Sequence, residues 1–210
     1  MKAGRGENGH ERGSAKEERK ERSHETILDS AARLLREKGV AGARVADVMR
    51  GAGLTVGGFY AHFGSKEALI DEALRRTAGE LRERLFARLE EKPKGDRAEV
   101  VLKRYLSTAH RDEYVRGCPF PAVVGEMGTT APEHREVLRG QIDAIASQLE
   151  EHLPGESRVP RHYVALGLVA LMYGGLSLSR ALRGTDLSDD VLKACRAIGT
   201  LAARSGAKTS

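Results

Sequence analysis

Apolar residues recur along most of this chain at helical spacing. Ile27, Leu28, Ala31, Leu34 and Leu35 follow one another on one face, with Ser23 ahead of them as a cap and Gly39 as a stop. A shorter run over 45–52 repeats the pattern with Val45, Val48 and Met49, and Gly53 closes it. A third segment, 55–63, turns Val56, Phe59 and Phe63 toward a core, with Thr55 as its N-cap and Gly64 at its end. Ser65 then caps a fourth helix whose stripe is Ala68, Leu69, Ala73, Leu74, Leu81, Leu85 and Leu89, broken at Pro93 and Gly95. Beyond the break the pattern predicts helices over 96–116, 119–127 and 132–153, then from Val159 to Arg183 and from Ser188 to Ala203. Nothing alternates with period two over a useful length, and no segment repeats another, so the fold class is all-α.

The organisation follows from where this pattern changes. Residues 1–22 hold no apolar residue larger than alanine after Met1 and read as a disordered polar arm. Such an arm either touches DNA phosphates or is a solvated tail, and interleaved glutamates favour the tail. Residues 23–70 form a small module of short helices with tight glycine turns. Residues 71–205 form a larger helical module of longer, more apolar helices.

Composition narrows the function classes. Of 210 residues, 40% are apolar and 31% charged, as in a soluble globular chain, and no apolar run looks long and uncharged enough to span a bilayer. The start has no apolar segment after its charges, so no secretory signal is expected and a cytoplasmic location is the default. Cys118 and Cys195 are the only cysteines, too few for a disulfide scaffold or a cysteine-rich zinc module. No HExxH spacing, Walker loop or GxSxG elbow occurs, so no catalytic residue, metal site or cofactor is expected. The net charge of +5 suits an anionic partner without deciding for one.

The chemistry concentrates between Val45 and Lys66. Two short helices joined at Gly53 and Leu54 make a helix-turn-helix pattern. If Val56, Phe59 and Phe63 face inward, Thr55, Gly57, Gly58, Tyr60 and His62 face outward, where a recognition helix meets the major groove. Glycines there permit close approach to a partner. Tyr60 and His62 can donate to phosphates, and Lys66 adds a charge at the next helix start. The same residue types also occur in ordinary helical turns.

From about Thr26 to Leu74 the chain resembles the tetracycline-repressor (TetR) family of bacterial transcription regulators. The resemblance is carried by 27–35, by Gly39, by Asp47, Val48 and Met49, and above all by the run AGLTVGGFYAHFGSKEAL from Ala52 to Leu69. It implies a homodimeric repressor that binds a palindromic double-stranded DNA operator and leaves it when a small-molecule effector enters the C-terminal module. By position it implies DNA contacts from Arg44, Thr55, Gly57, Gly58, Tyr60, His62 and Lys66. Two positions depart from the family's pattern. Arg44 stands where Ser or Thr often caps helix two, and His62 where Tyr is common.

The resemblance says little about the C-terminal module. The helix from Val159 to Arg183 is apolar on nearly all sides and, with the one from Ser188 to Ala203, resembles the pair that builds the family's dimer interface; the alternative is a purely internal core. Ring and apolar residues available to an effector pocket are Tyr105, His110, Tyr114, Cys118, Phe120, Met127, Tyr163 and Tyr173, each equally at home in a plain core. His110 and Glu126 would be its polar anchors. Pro119 fits the first helical position, which would leave Cys118 at a helix N-cap beside Arg116, an arrangement that lowers a thiol pKa. A thiol-based redox or electrophile sensor using Cys118 is therefore the alternative to a plain small-molecule response, set against Cys118 as a buried small hydrophobe.

Overall fold

In the computed structural model, which describes residues 7–113, 117–153 and 159–204 with side chains from Ser14, those predicted helices become nine α-helices and several short 3₁₀ turns. No strand occurs among the described residues. The first helix, α1 (Glu7–Gly42), begins earlier than expected: residues 7–22 are helical rather than a disordered arm. The reason lies in composition and context. Lys, Glu, Arg and Ala between Ser14 and Arg22 are good helix formers. The costly nucleation step is supplied by the anchored stretch that follows, where Ile27, Leu28, Ala31, Leu34 and Leu35 are buried.

Gly39 stops the regular run of α1 as expected, leaving helical geometry at φ 70° and ψ −172°, and a short helical stretch continues beyond this kink to Gly42. The next helix, α2 (Val45–Gly51), buries Val48 and Met49. Its C-terminus closes as a Schellman turn: Leu54 N–H donates to Met49 C=O at 2.9 Å and Gly53 N–H to Arg50 C=O at 3.0 Å, with Gly53 in the left-handed region at φ 70°. The third segment (Val56–Ala61) is a 3₁₀ helix. Helix α3 (Lys66–Phe86) starts at the expected cap, where Ser65 Oγ accepts from Ala68 N–H at 3.1 Å.

Downstream, the expected 96–116 helix is two, α4 (Arg97–Tyr105) and α5 (Thr108–Asp112). The chain bends at Leu106, and Ser107 Oγ caps α5 by accepting from His110 N–H. Then follow α6 (Phe120–Gly128), α7 (Arg135–His152), α8 (Arg161–Ala181) and α9 (Asp186–Arg204). Helix α8 corrects one expectation: by length and composition it is apolar enough to cross a membrane. Its neighbours account for the apolarity. It packs between α7 and α9 and buries Ala165, Leu168, Val169, Met172, Tyr173 and Leu176 in the C-terminal core. The fold is thus an N-terminal helix-turn-helix unit followed by a larger helical region, with α1 packed on α3 and α6.

Candidate nucleic-acid interface

The recognition segment cannot stand alone. It has six residues, two of them glycine, and a 3₁₀ hydrogen-bond pattern. Phe59 and Phe63 hold it down: both are buried and their rings stack 5.8 Å apart, centroid to centroid. The Phe59 carbonyl accepts from both His62 N–H and Phe63 N–H. On the far side of Phe63, the His24 ring stacks at 4.5 Å, and His24 Nε2 lies 2.6 Å from Glu72 Oε1, so α1 and α3 grip the segment between them.

Its outer face differs from the expected one most at Val56, while Gly58 and His62 are only partly exposed. Val56, assigned to the core, is 51% exposed and lies beside the 78% exposed Tyr60. Val56 opens the segment, ahead of the turn that Phe59 and Phe63 press inward, so its spacing matches an apolar face that nothing covers. Sequence periodicity alone carried no signal for this, because it assumes that a face extends to the helix end. Thr55 and Gly57 are exposed as expected. Thr55 occupies the cap position, yet its hydroxyl makes no capping bond and stays available. Arg44, at the matching position before α2, is likewise exposed and caps nothing.

The two glycines are informative. A Cβ on Gly57 would meet nothing within 4 Å, and one on Gly58 would meet only Met49 Cε at 3.9 Å and Thr55 Oγ1 at 4.0 Å. Neither has the positive φ that requires glycine. The fold therefore has room for a side chain at both. The bare surface there costs helix stability and returns nothing within the protein.

His62 and Lys66 are less free than expected. His62 is half-buried with its ring 5.8 Å from that of His24, and burial, then the charges of His24 and Lys20, hold its pKa below the ordinary histidine value. It is a neutral donor at neutral pH, not a cation. Lys66 Nζ already donates to the Val40 carbonyl at 3.2 Å, bracing the start of α3 against the end of α1.

The same Val40 peptide leads to the C-terminal region. The Gly39 kink frees the N–H groups of Val40 and Ala41, and Glu126 on α6 takes both, Oε1 and Oε2 each at 2.9 Å. This corrects the reading of Glu126 as a pocket anchor. A Cβ on Gly39 would sit 1.9 Å from Glu126 Oε1, so glycine at 39 and the carboxylate at 126 fit only together. Charge-assisted bonds of this kind contribute about 1.5–3 kcal/mol. Glu126→Ala is expected to lower stability by about 2 kcal/mol and Glu126→Gln by about half that, read as urea midpoints of the full chain. An unchanged midpoint for Glu126→Ala would refute the clasp.

His110 is also structural. Its Nε2 accepts from Cys118 N–H at 3.0 Å, which leaves the proton on Nδ1 to donate to the Tyr105 carbonyl at 2.7 Å. Burial, reinforced by the charges of Arg180 and Arg84, lowers its pKa to about 4 against the opposing bond to Tyr105. Arg180, reaching in from α8, donates to the carbonyls of His110, Arg111 and Cys118. Helix α6 begins at Phe120 with Pro119, not Cys118, at its cap. Cys118 is 1% exposed, and burial pushes its thiol pKa up by more than Tyr105, the Phe120 N–H, Arg180 and Arg36 pull it down. That reverses the lowered thiol pKa expected from a helix N-cap.

Of the other residues expected in a pocket, Phe120, Met127 and Tyr105 are fully buried and Tyr173 nearly so. Tyr105 and Tyr173 stack, as do Tyr173 and Phe120. Both phenol hydroxyls face the Cys118 sulfur, and neither has a hydrogen-bond partner of good geometry. Tyr163 is 64% exposed on α8 and faces outward, and Tyr114 lies outside the described residues. An open cavity of about 500 Å³ sits between α3, α4 and α5, with Leu81, Leu85, Ser107 and His110 in its wall.

Comparison with known proteins agrees with this geometry. The family model described as "Bacterial regulatory proteins, tetR family" matches residues 27–73. The HTH-type transcriptional repressor KstR2 of Rhodococcus jostii is 45% identical over 49 residues, 23% of this chain and 24% of that protein. The Mycobacterium tuberculosis protein of the same name is 43% identical over 49 residues. The chain thus matches about a quarter of the length of these curated relatives. Among solved structures, a TetR transcriptional regulator from Chloroflexus aurantiacus superposes with a TM-score of 0.73 at 28% identity, covering 87% of this chain and 94% of that one. A TetR-family regulator from Cytophaga hutchinsonii gives 0.73 at 23% identity over 91% and 98%. Escherichia coli NemR in its reduced form gives 0.68 at 20% over 82% and 94%.

Proposed function

We propose that the chain is a transcriptional regulator of the tetR family, whose model matches residues 27–73, and that it is a homodimeric repressor released from a palindromic operator by a small molecule. In this reading it acts in the cytoplasm and catalyses nothing. Residues 23–70 form the DNA-binding unit and 71–205 the effector and dimer unit. Thr55, Val56 and Tyr60 meet the major groove and its walls, while Arg44, His62 and Lys66 meet phosphates. The observation that carries the proposal is the pair Gly57 and Gly58. The protein has space for side chains there and leaves it empty, as a surface must where another backbone comes close.

Dimerisation is assigned to α8 and α9, where Tyr163, Leu178, Leu187 and Ile198 are large, apolar and exposed. The effector is assigned to the cavity beside His110 and the aromatic core behind it, where the Tyr105 and Tyr173 hydroxyls lack partners and would donate to an acceptor on an apolar ligand. The thiol alternative has less behind it, since Cys118 is buried and its pKa raised.

Selection of duplexes from a random-sequence pool by the full-length chain tests this. Palindromic sites should be enriched, and the protein should sediment as a dimer at micromolar concentration. Leu178→Asp with Ile198→Asp should give a monomer that binds a selected site at least about tenfold more weakly, because a C₂ dimer holds two half-sites at once. A dimeric double variant would refute the interface, and a chain that enriches no duplex would refute the function.

A further inference from the structure

The first turns of α1 have no partner in the fold. Residues 14–22 are all exposed, a free helical length of about 13 Å at 1.5 Å per residue. Along the sequence their charges look mixed, but helical geometry sorts them. At about 100° per residue, Lys16, Arg19 and Lys20 fall within one arc of about 100°, and Glu17, Glu18, Glu21 and Glu25 within another of about the same width on the far side.

Three of the four charged pairs four apart between 16 and 25 consequently carry like charge: Lys16 with Lys20, Glu17 with Glu21, Glu21 with Glu25. Each such pair weakens a solvated helix by about 0.2–0.5 kcal/mol, so the sorting works against the helix's own stability. Two of the four acidic residues find partners. Glu18 pairs with Arg22 at 3.8 Å and Glu25 with Arg76 at 3.0 Å. The basic side does not: Lys16, Arg19 and Lys20 make no ion pair among the described residues.

The basic arc also has a definite place. A small cavity of about 130 Å³ between α1 and the recognition segment is lined by Glu17, Lys20, Glu21, His24 and His62. Lys20 thus borders His62, which the proposed function sets against phosphate. The basic arc leads away from that point toward the N-terminus along one rim of the cavity, while Glu17 and Glu21 of the acidic arc line its other rim.

We propose that the N-terminal turns of α1 are a second DNA contact, in which Lys16, Arg19 and Lys20 bind backbone phosphates of the duplex flanking the site held by the recognition segment. The occupant is double-stranded DNA because the arc is cationic, unpaired, straight and continuous with the proposed phosphate contact. It carries no apolar or aromatic residue that would suit a protein partner or unstacked bases. These contacts add affinity and salt sensitivity without reading sequence.

This inference rests on the DNA-binding reading, and its test separates the two. The probes are a duplex selected from a random pool by the full-length chain, used with about 10 flanking base pairs on each side and again with the flanks removed. Binding of wild type, Lys16→Ala/Arg19→Ala/Lys20→Ala, Lys16→Arg/Lys20→Arg and Tyr60→Ala is measured against potassium chloride concentration. On the flanked duplex the triple variant should lose about tenfold or more in affinity at low salt. Its slope of log K against log salt should flatten by up to about 2.7 per protomer, three contacts at about 0.9 each. The arginine variant should behave as wild type, and on the trimmed duplex the triple variant should match wild type. Circular dichroism of the triple variant controls for loss of helix. A wild-type slope for the triple variant on flanked DNA overturns the inference alone, provided Tyr60→Ala has lost specific binding. An equal loss on both duplexes also overturns it. A wild-type chain that enriches no duplex overturns it together with the DNA-binding reading.

Discussion

Phe59→Ala should cost about 3–5 kcal/mol of stability and abolish specific DNA binding, whereas Gly58→Ala should change stability by no more than about 1 kcal/mol and weaken binding by itself. The two residues are neighbours, so the contrast separates anchoring from reading. Phe59 is among the largest fully buried side chains, packed edge-on to Tyr60 at 5.1 Å and stacked on Phe63. Truncating a buried aromatic in a site that cannot collapse costs about this much. A six-residue 3₁₀ segment with two glycines has no stability of its own to set against the loss. A domain of this kind is stable by only about 5–15 kcal/mol, so the variant would be marginal at 37 °C. At Gly58 the nearest atom to a new methyl is 3.9 Å away, an ordinary contact, and alanine is the better helix former by about 1 kcal/mol. Urea denaturation of the full chain and fluorescence anisotropy with a selected duplex measure the two effects. If Gly58→Ala binds as wild type, the bare surface has no role in recognition.

What the sequence made legible divides along a physical line. Ser65, Gly53 and most of the apolar stripe of α3 act through neighbours in the chain and do what their positions implied, although Ala68 is exposed and Leu89 is buried beyond the helix end at Phe86. Val56 was misplaced because periodicity reports a face but not whether another element covers it. Residues 7–22 were misplaced because a polar composition was read one residue at a time, while a helix groups residues three and four apart. Glu126, His110, Arg36 and Arg180 form the least legible group. Glu126 meets Val40, 86 positions away, Arg36 donates to the Gly117 carbonyl across 81, and Arg180 reaches Cys118 across 62. Their partners are backbone N–H and C=O groups, which every residue has, so no pairing of side-chain types marks them in advance. They tie the end of α1 to both ends of α6, beside the proposed effector core.

Acid should loosen that join, through His110. The folded protein holds this ring neutral down to about pH 4, against an ordinary value of 6.5. Between those values the unfolded chain binds a proton that the native state refuses. Stability therefore rises with pH from about 4 to 6.5 and is level above, and the protein loses it as the pH falls through that window. At about 1.4 kcal/mol per unit, the loss from His110 approaches 3 kcal/mol by pH 4. The structural reason is that a second ring proton would sit on Nε2, where the Cys118 N–H already points, so protonation sets two donors face to face and breaks the link from α5 to the loop before α6. His110→Gln removes the titration while keeping one polar contact. Urea midpoints at pH 5, 6 and 7 should fall on acidification by more in wild type than in the variant, with the difference concentrated below pH 6.5. The His110 Cε1 proton resonance should hold its neutral position well below pH 6; a midpoint near 6.5 would mean that the ring is solvated and the join between α5 and α6 is made elsewhere.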